Sequence, residues 1–374
     1  MKIIHIITEL DVGGAELVLT NLVEELSASE CRTMVICLKK RGEIADRIEQ
    51  CGVTVVSLSI DRGLNVLFFM FRLRKLIKKE APDIINTWLY HADIIGFFAA
   101  RLCGIKNVIW NIRCADIDKG HFPFKTRVLV KLNSFLSRYI NNVVVNSNAG
   151  KKWHVEQGYK PESWKVIPNG YDLDKWKFDG KTRIRLREAL GIDEASFVIG
   201  MVARYDPLKD HRTFISAMNL VKSRYPAIKI LMFGKNIDSN NKQLTDYISQ
   251  YDLTDNISLL GITHNLHEYY SVFDILVSSS VTEGFPNVLA EAMACERPCV
   301  STDVGDAALI IGNTGKIVSV SDPDTMANKV IELIMFGPEK RRELGVMARN
   351  RIQKNYSIKT MANSYKTLYD SISS

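Results

Sequence analysis

At 374 residues, with 46% apolar and 24% charged content, the chain has the make-up of an ordinary globular protein and exceeds what one hydrophobic core serves, so two domains are expected. Its seven cysteines are odd in number and form no C-x-x-C pair, which argues against a disulfide framework or a structural zinc site and fits a reducing cytoplasm. The net charge of +7 sits in the first half: residues 1–180 carry 26 Lys and Arg against 20 Asp and Glu, and the rest 23 against 22. With no zinc finger, RNP aromatic motif or basic zipper, no nucleic-acid partner is expected, and an anionic membrane surface suits the excess better. No run approaches the roughly 18 apolar residues of a membrane span. The opening Met-Lys-Ile-Ile-His-Ile-Ile-Thr is too short for the apolar part of a signal peptide.

Short β-branched runs alternate with helical patterns along the chain. The first series is a strand over 2–8, a helix from Ala15, strands over 33–38 and 53–58, a helix from Leu64, and strands over 83–87, 108–111 and 143–146. The second runs through 197–202, 228–234, 257–261, 275–278, 298–301 and 316–319. This rhythm predicts an α/β fold of two Rossmann-like, doubly wound domains, each a parallel sheet with helices on both faces. The boundary is placed at Val166-Ile-Pro-Asn-Gly-Tyr-Asp172, where Pro-Asn-Gly is strong turn chemistry, giving domains over 1–168 and 169–355. A last helix is expected from about Tyr356 to Tyr369. Such folds bind ligands beyond the carboxyl ends of their strands, so a ligand is expected in a cleft between the domains.

The segment Glu283-Gly-Phe-Pro-Asn-Val-Leu-Ala-Glu291 sets two carboxylates around a turn that opens a helix near Pro286, where a missing N–H costs nothing. The free amides at that helix start suit a diphosphate, and each carboxylate can accept hydrogen bonds from hydroxyls at opposite ends of one ligand. Arg204 and Lys209 stand five residues apart in the loop after the strand 197–202, as a planar fork and a point charge able to neutralise a departing nucleoside diphosphate. Two carboxylates would also serve a retaining glycosidase, but that chemistry has no use for the Arg/Lys pair.

In the first half, Gly13 and Gly14 follow the first strand and open the first helix, letting backbone approach a phosphate. His91, just past the strand 83–87, is placed to act as hydrogen-bond partner or acid–base group. The helical segment 64–79 has an apolar stripe at 66, 69, 70, 73, 76 and 77 for the core. Its other side sets Leu67, Phe68 and Phe71 beside Arg72, Arg74, Lys75, Lys78 and Lys79, a pairing suited to an anionic bilayer surface. The stretch 119–152 has seven basic residues, Lys125 and Arg127 among them, no acidic one, and Phe122, Phe124 and Phe135. Both stretches are read as shallow membrane-docking surfaces.

In order and spacing, Val166 to Asp172, Gly200 to Lys209, Leu231-Met-Phe-Gly234, Leu259-Leu-Gly261 and Glu283 to Ala294 resemble the family 4 glycosyltransferases, retaining enzymes of GT-B fold with an E-x7-E motif. The likeness covers nearly the whole chain and is most specific over 165–320. It implies an acceptor domain over 1–168, a nucleotide-sugar domain over 169–355, and a final helix within 356–374 returning to the first domain. By carry-over, Arg204 and Lys209 bind the donor diphosphate, Glu283 meets the transferred sugar and Glu291 the ribose. Amides near Phe285, Asn287 and Val288 add phosphate contacts, and Pro286, Gly234, Gly13 and Gly14 complete the donor-binding set. The family's histidine after the next strand is absent from Trp110-Asn-Ile-Arg113-Cys114, so His91 or Arg113 takes its place. Two further departures are Glu296, where the family has glycine and a tighter or longer turn is expected, and Asp303-Val-Gly-Asp306, which lacks a Glu after its glycine.

The resulting expectation is a retaining, peripheral-membrane glycosyltransferase at the cytoplasmic face of the cell membrane, moving a sugar from a nucleotide diphosphate sugar, a UDP-sugar foremost, to a lipid-linked glycan in surface polysaccharide assembly. No D-x-D motif falls in a suitable strand-end loop, so no metal or other cofactor is expected. The alternatives are a GT-B nucleotide-sugar 2-epimerase or a non-catalytic nucleotide-sugar-binding protein.

Overall fold

The computed structural model describes residues 1–11, 13–28, 31–39, 41–59, 66–113 and 124–373. The expected helix start at Leu64, the side chains of Val66 and Leu67, and Cys114, Lys119 and Phe122 lie outside them. The chain divides into two compact units, Met1–Gly170 with Ile358–Ser374, and Tyr171–Ser357.

The first unit is a seven-stranded parallel sheet of β1 (Lys2–Ile7), β2 (Arg32–Cys37), β3 (Thr54–Ser57), β4 (Ile84–Trp88), β5 (Val108–Ile112), β6 (Asn142–Val145) and β7 (Ser163–Val166). Its order is β3-β2-β1-β4-β5-β6-β7, with Ile3 opposite both Thr33 and Ile84. The Ile/Val runs of the central strands are buried on both faces, as a helix-covered parallel sheet requires. One face packs against the helices Gly14–Ser27 and Ile358–Ser373 through Leu19, Leu22, Tyr365, Leu368 and Tyr369. The other packs against Val66–Glu80, Tyr90–Cys103 and Phe124–Leu136, and of the expected stripe Phe69, Leu73 and Ile77 are buried while Met70 and Leu76 are partly so. Strand β7 was not foreseen: Ser163-Trp-Lys-Val is an edge strand only half-buried, without a hydrophobic run to announce it.

The second unit is a six-stranded parallel sheet of β8 (Val198–Val202), β9 (Lys229–Phe233), β10 (Ile257–Leu259), β11 (Ile275–Ser278), β12 (Cys299–Thr302) and β13 (Lys316–Val318), in the order β10-β9-β8-β11-β12-β13. In each sheet the strand order reverses beside the unit's first strand, between β1 and β4 and between β8 and β11. Such switch points open a crevice at the carboxyl ends. Tyr356 closes the helix Gly337–Tyr356 and Ser357 is extended, so the last helix begins at Ile358 rather than at Tyr356.

The turn at Glu296 is neither tighter nor longer than usual. Glu296 takes a left-handed conformation (φ 60°) after the helix Asn287–Ala294, with Arg297 N bonded to Ala292 O at 2.9 Å and Glu296 N to Met293 O at 3.0 Å. That is a Schellman end with glutamate where glycine is favoured.

Candidate functional site

The loops after β8, β9, β11 and β12 are tied to one another at the carboxyl edge of the second sheet. Ser279 Oγ donates to the carbonyls of Lys209 (2.8 Å) and Asp210 (3.0 Å), and Val281 N donates to Leu208 O (2.9 Å). Thr302 Oγ1 donates to Ser280 O (2.6 Å), and Asp306 N to Gly284 O (3.1 Å). Gly305 (φ 58°) approaches so closely that a Cβ would stand 2.5 Å from Gly284 O, and one on Gly234 (φ 141°) would stand 2.2 Å from Ala203 O. Backbone pressed this tightly against a neighbouring loop admits glycine alone.

This lattice aims Lys209 at Glu283. The 3-10 turn Pro207–Lys209 is capped by Asp206, whose Oδ1 accepts from Leu208 N at 2.9 Å, and Asp210 (φ 45°) caps the following helix through Thr213 N at 3.1 Å. Lys209 Nζ donates to Glu283 Oε1, which also accepts from Ser280 Oγ at 2.8 Å. Arg204 stands apart from this contact: it is exposed, and its Nε is 3.0 Å from Asp206 Oδ2.

The helix Asn287–Ala294 has Pro286 as its N-cap, with Leu289 N donating to Pro286 O at 3.1 Å. Phe285 is buried edge-on to Tyr356, Val288 is half-buried against the core, and Asn287 Oδ1 accepts from Tyr171 OH at 2.5 Å. Glu291 Oε2 accepts from Tyr270 OH at 2.8 Å, while burial pushes its carboxyl up to about 7 and the tyrosine and Lys175 oppose that. Sequence reasoning missed Tyr270, Ser279, Ser280 and Thr302, and named Gly305 and Asp306 only within a departure from the family pattern. The Ser278-Ser-Ser280 run ending an apolar strand was the available signal.

At the carboxyl edge of the first sheet, Gly13 is the extended N-cap of Gly14–Ser27, and Glu16 folds back so that a Cβ on Gly13 would meet its carboxylate at 2.3 Å. Burial raises the Glu16 pKa, helped by Glu9 and Asp11. His91 is exposed in the first turn of Tyr90–Cys103; desolvation and nearby Lys39 lower its pKa against the pull of Glu9. Arg113 directly follows β5, donating to Asn169 Oδ1 at 3.1 Å and to the Tyr365 hydroxyl, with its guanidinium 4.9 Å from the Trp88 ring centre. From Arg113 a directed chain continues: Tyr365 OH donates to Asn111 Oδ1 (2.6 Å), Asn111 Nδ2 to Asn86 Oδ1, and Asn86 Nδ2 to Tyr369 OH (2.5 Å). No hydrogen bond or ion pair joins His91 to Arg113 among the described residues.

On the outer helices of the first unit, Phe68 and Phe71 are 53% and 57% exposed, beside exposed Arg72, Lys75 and Lys79. Phe124–Leu136 exposes Phe124, Val128, Leu132 and Phe135 with Lys125 and Arg127. The helix Tyr90–Cys103, packed against both, adds exposed Phe98 and Leu102, which the sequence did not single out because that helix is apolar nearly all round. Among the described residues no helix is long and apolar enough to cross a membrane.

Residues 12–175 match the family described as Glycosyltransferase Family 4, and residues 196–335 match Glycosyl transferases group 1. The UDP-Gal:alpha-D-GlcNAc-diphosphoundecaprenol alpha-1,3-galactosyltransferase of Escherichia coli is 24% identical over 384 residues, covering 99% of this chain and 96% of that one. The capsular polysaccharide biosynthesis glycosyltransferase CapM of Staphylococcus aureus is 26% identical over 80% of each chain. HepE of Anabaena, crystallised with UDP, superposes with a TM-score of 0.85 over 99% of this chain and 100% of its own, at 21% identity. The chain belongs to the family 4 glycosyltransferases and has the GT-B fold.

Proposed function

We propose that this glycosyltransferase moves a sugar from a UDP-sugar to a lipid-linked glycan in surface polysaccharide assembly, with retention and without a metal ion. The observation that carries the reading is the Lys209–Glu283 pair, fixed at the β8/β11 switch point beside the helix that bears Glu291. Support for the donor comes from the UDP bound to HepE and the UDP-Gal of the E. coli relative; support for acceptor and setting comes from that relative and CapM.

In this reading Lys209 and Arg204 take the diphosphate, with the amides near Phe285, Asn287 and Val288. Glu283 turns to the sugar hydroxyls and Glu291 to the ribose. Gly13 and Gly14 let backbone approach the donor phosphates. The bond from the sugar to the diphosphate oxygen breaks, the bond to the acceptor oxygen forms on the same face, and the acceptor proton passes to the leaving diphosphate. His91 and Arg113 serve the acceptor or the reacting centre. The exposed Phe68, Phe71 and Phe124, with Arg72, Lys75, Lys79, Lys125 and Arg127, seat the protein on the anionic cytoplasmic face of a membrane, where a lipid-linked acceptor is reached.

The test is a panel of nucleotide sugars scored by thermal stabilisation of wild type and Glu291→Ala, with and without EDTA. One diphosphate sugar stabilising only wild type, regardless of EDTA, is expected; stabilisation that EDTA abolishes removes the metal-free reading.

A further inference from the structure

The amino ends of the second sheet, opposite the loops described above, hold a cavity of about 230 Å3. Four arginines line it, Arg183, Arg297, Arg341 and Arg342, with two carboxylates, Asp274 and Glu296. Asp274 is already spent: its Oδ1 accepts from Arg183 Nη2 at 2.7 Å, and its Oδ2 from Arg187 Nη2 at 2.9 Å and Val198 N at 2.7 Å. Each of three guanidiniums is anchored by part of its fork. Arg183 Nη1 donates to the carbonyls of Ser271, Val272 and Phe273, Arg297 donates to those of Cys295 and Phe273, and Arg341 Nη1 to those of Leu333 and Ile334.

The remaining donors have no hydrogen-bond acceptor among the described residues: Arg297 Nη2, Arg341 Nε and Nη2, and the whole guanidinium of Arg342, although Arg297 and Arg341 also lie over the Phe178 (4.5 Å) and Phe197 (4.8 Å) rings. Like charges are thereby held close together. Burial pushes the Arg297 guanidinium down to about 10 with Arg183 adding to that, and burial likewise lowers Arg341. Carbonyl and ring contacts hold these arginines in place but leave the cavity with four guanidiniums against two carboxylates, an excess of positive charge that repels itself.

We propose that this cavity binds a phosphate group, as inorganic phosphate or as a small phosphomonoester, at a site separate from the one assigned to the donor. Planar forks fixed by their carbonyl contacts present paired N–H groups that match phosphate oxygens, and a dianion offsets the excess positive charge. Glu296 sets a limit on this, being the one lining carboxylate without an ion pair among the described residues.

The experiment is calorimetric titration of wild type and Arg342→Glu with inorganic phosphate and with glucose 1-phosphate, at constant ionic strength and with saturating UDP. Saturable binding that UDP does not displace is expected, weakened on the order of tenfold or more in Arg342→Glu, whose exposed side chain leaves melting and UDP binding unchanged. Equal affinity for both ligands identifies the phosphate group as sufficient; preference for the ester identifies a sugar phosphate. Absence of saturable binding, displacement by UDP, or indifference to Arg342→Glu overturns the site. Repeating the titration on Lys209→Ala makes the answer independent of whether UDP is the donor.

Discussion

Lys209 and Glu283 share one ion pair whose carboxylate oxygen also receives Ser280 Oγ, and both side chains are largely withdrawn from solvent. Removing the lysine leaves a half-buried carboxylate with the hydroxyl alone. Lys209→Ala is therefore expected to cost about 1–3 kcal/mol, read as a shift in denaturant midpoint, besides its effect on turnover.

Arg204 should separate these two effects. Its ion pair with Asp206 is on the surface, where such pairs contribute about 0–1 kcal/mol. Arg204→Ala should melt close to wild type yet lower kcat by about 10² to 10³, the scale of losing one donor to a developing charge. Near-normal kcat in that variant removes Arg204 from the diphosphate clamp.

Glu291 gives a pH signature. Its folded-state pKa of about 7 lies above the ordinary 4.5, so the fold holds its proton more tightly than the unfolded chain. The associated stability is present below 4.5 and is lost as pH rises to about 7, by up to about 3 kcal/mol. Buried His154 and His211, held down to about 4, act in the opposite sense between there and 6.5, so the raw profile mixes both. The difference in melting temperature between wild type and Glu291→Gln, followed across that range, isolates the glutamate; a pH-independent difference contradicts the shift.

How much of this was readable beforehand depends on sequence distance. The sheets announce themselves because central parallel strands are unbroken apolar runs, and the Glu283–Glu291 segment because its two carboxylates and the turn at Pro286 lie within nine consecutive residues. The ties that aim Lys209 at Glu283 were hidden, since Ser279 reaches back to Lys209 and Thr302 to Ser280 across loops whose meeting only the sheet order decides. Arg113 was read only as a stand-in for the family's histidine, and its tie to Tyr365 was hidden because that partner lies 252 residues away. Exposure of Phe98 was equally invisible, as nothing in an apolar helix marks which side stays uncovered.

Glu296 offers a stabilising change. A β-carbon in the left-handed region costs about 1–2 kcal/mol, partly offset by glycine's greater unfolded freedom. Glu296→Gly should gain roughly 0.5–1 kcal/mol on balance, whereas Gly345→Ala, whose Cβ would stand 2.2 Å from Glu296 O, should lose stability. Chemical denaturation of the two variants checks both signs.

Tyr365 is the second link in the chain from Arg113 to Tyr369, accepting from one residue and donating to the next. Tyr365→Phe leaves the buried Asn111 carbonyl without that donor and should cost about 1–3 kcal/mol. Hydrogen exchange should rise in the last helix before it rises in the second unit; uniform exchange would show that the chain of bonds does not hold that helix.

That last helix supplies Met361, Ala362, Tyr365, Leu368 and Tyr369 to a core whose other members come from the opposite end of the chain. A ribosome makes this protein from its amino end, but the first unit cannot close until its final residues have emerged, while the second unit, one unbroken stretch, is complete before then. Completion therefore runs in the reverse of synthesis order. The part of that face which the last helix covers waits exposed until then, so a nascent chain stalled before Ile358 is the form most in need of a chaperone.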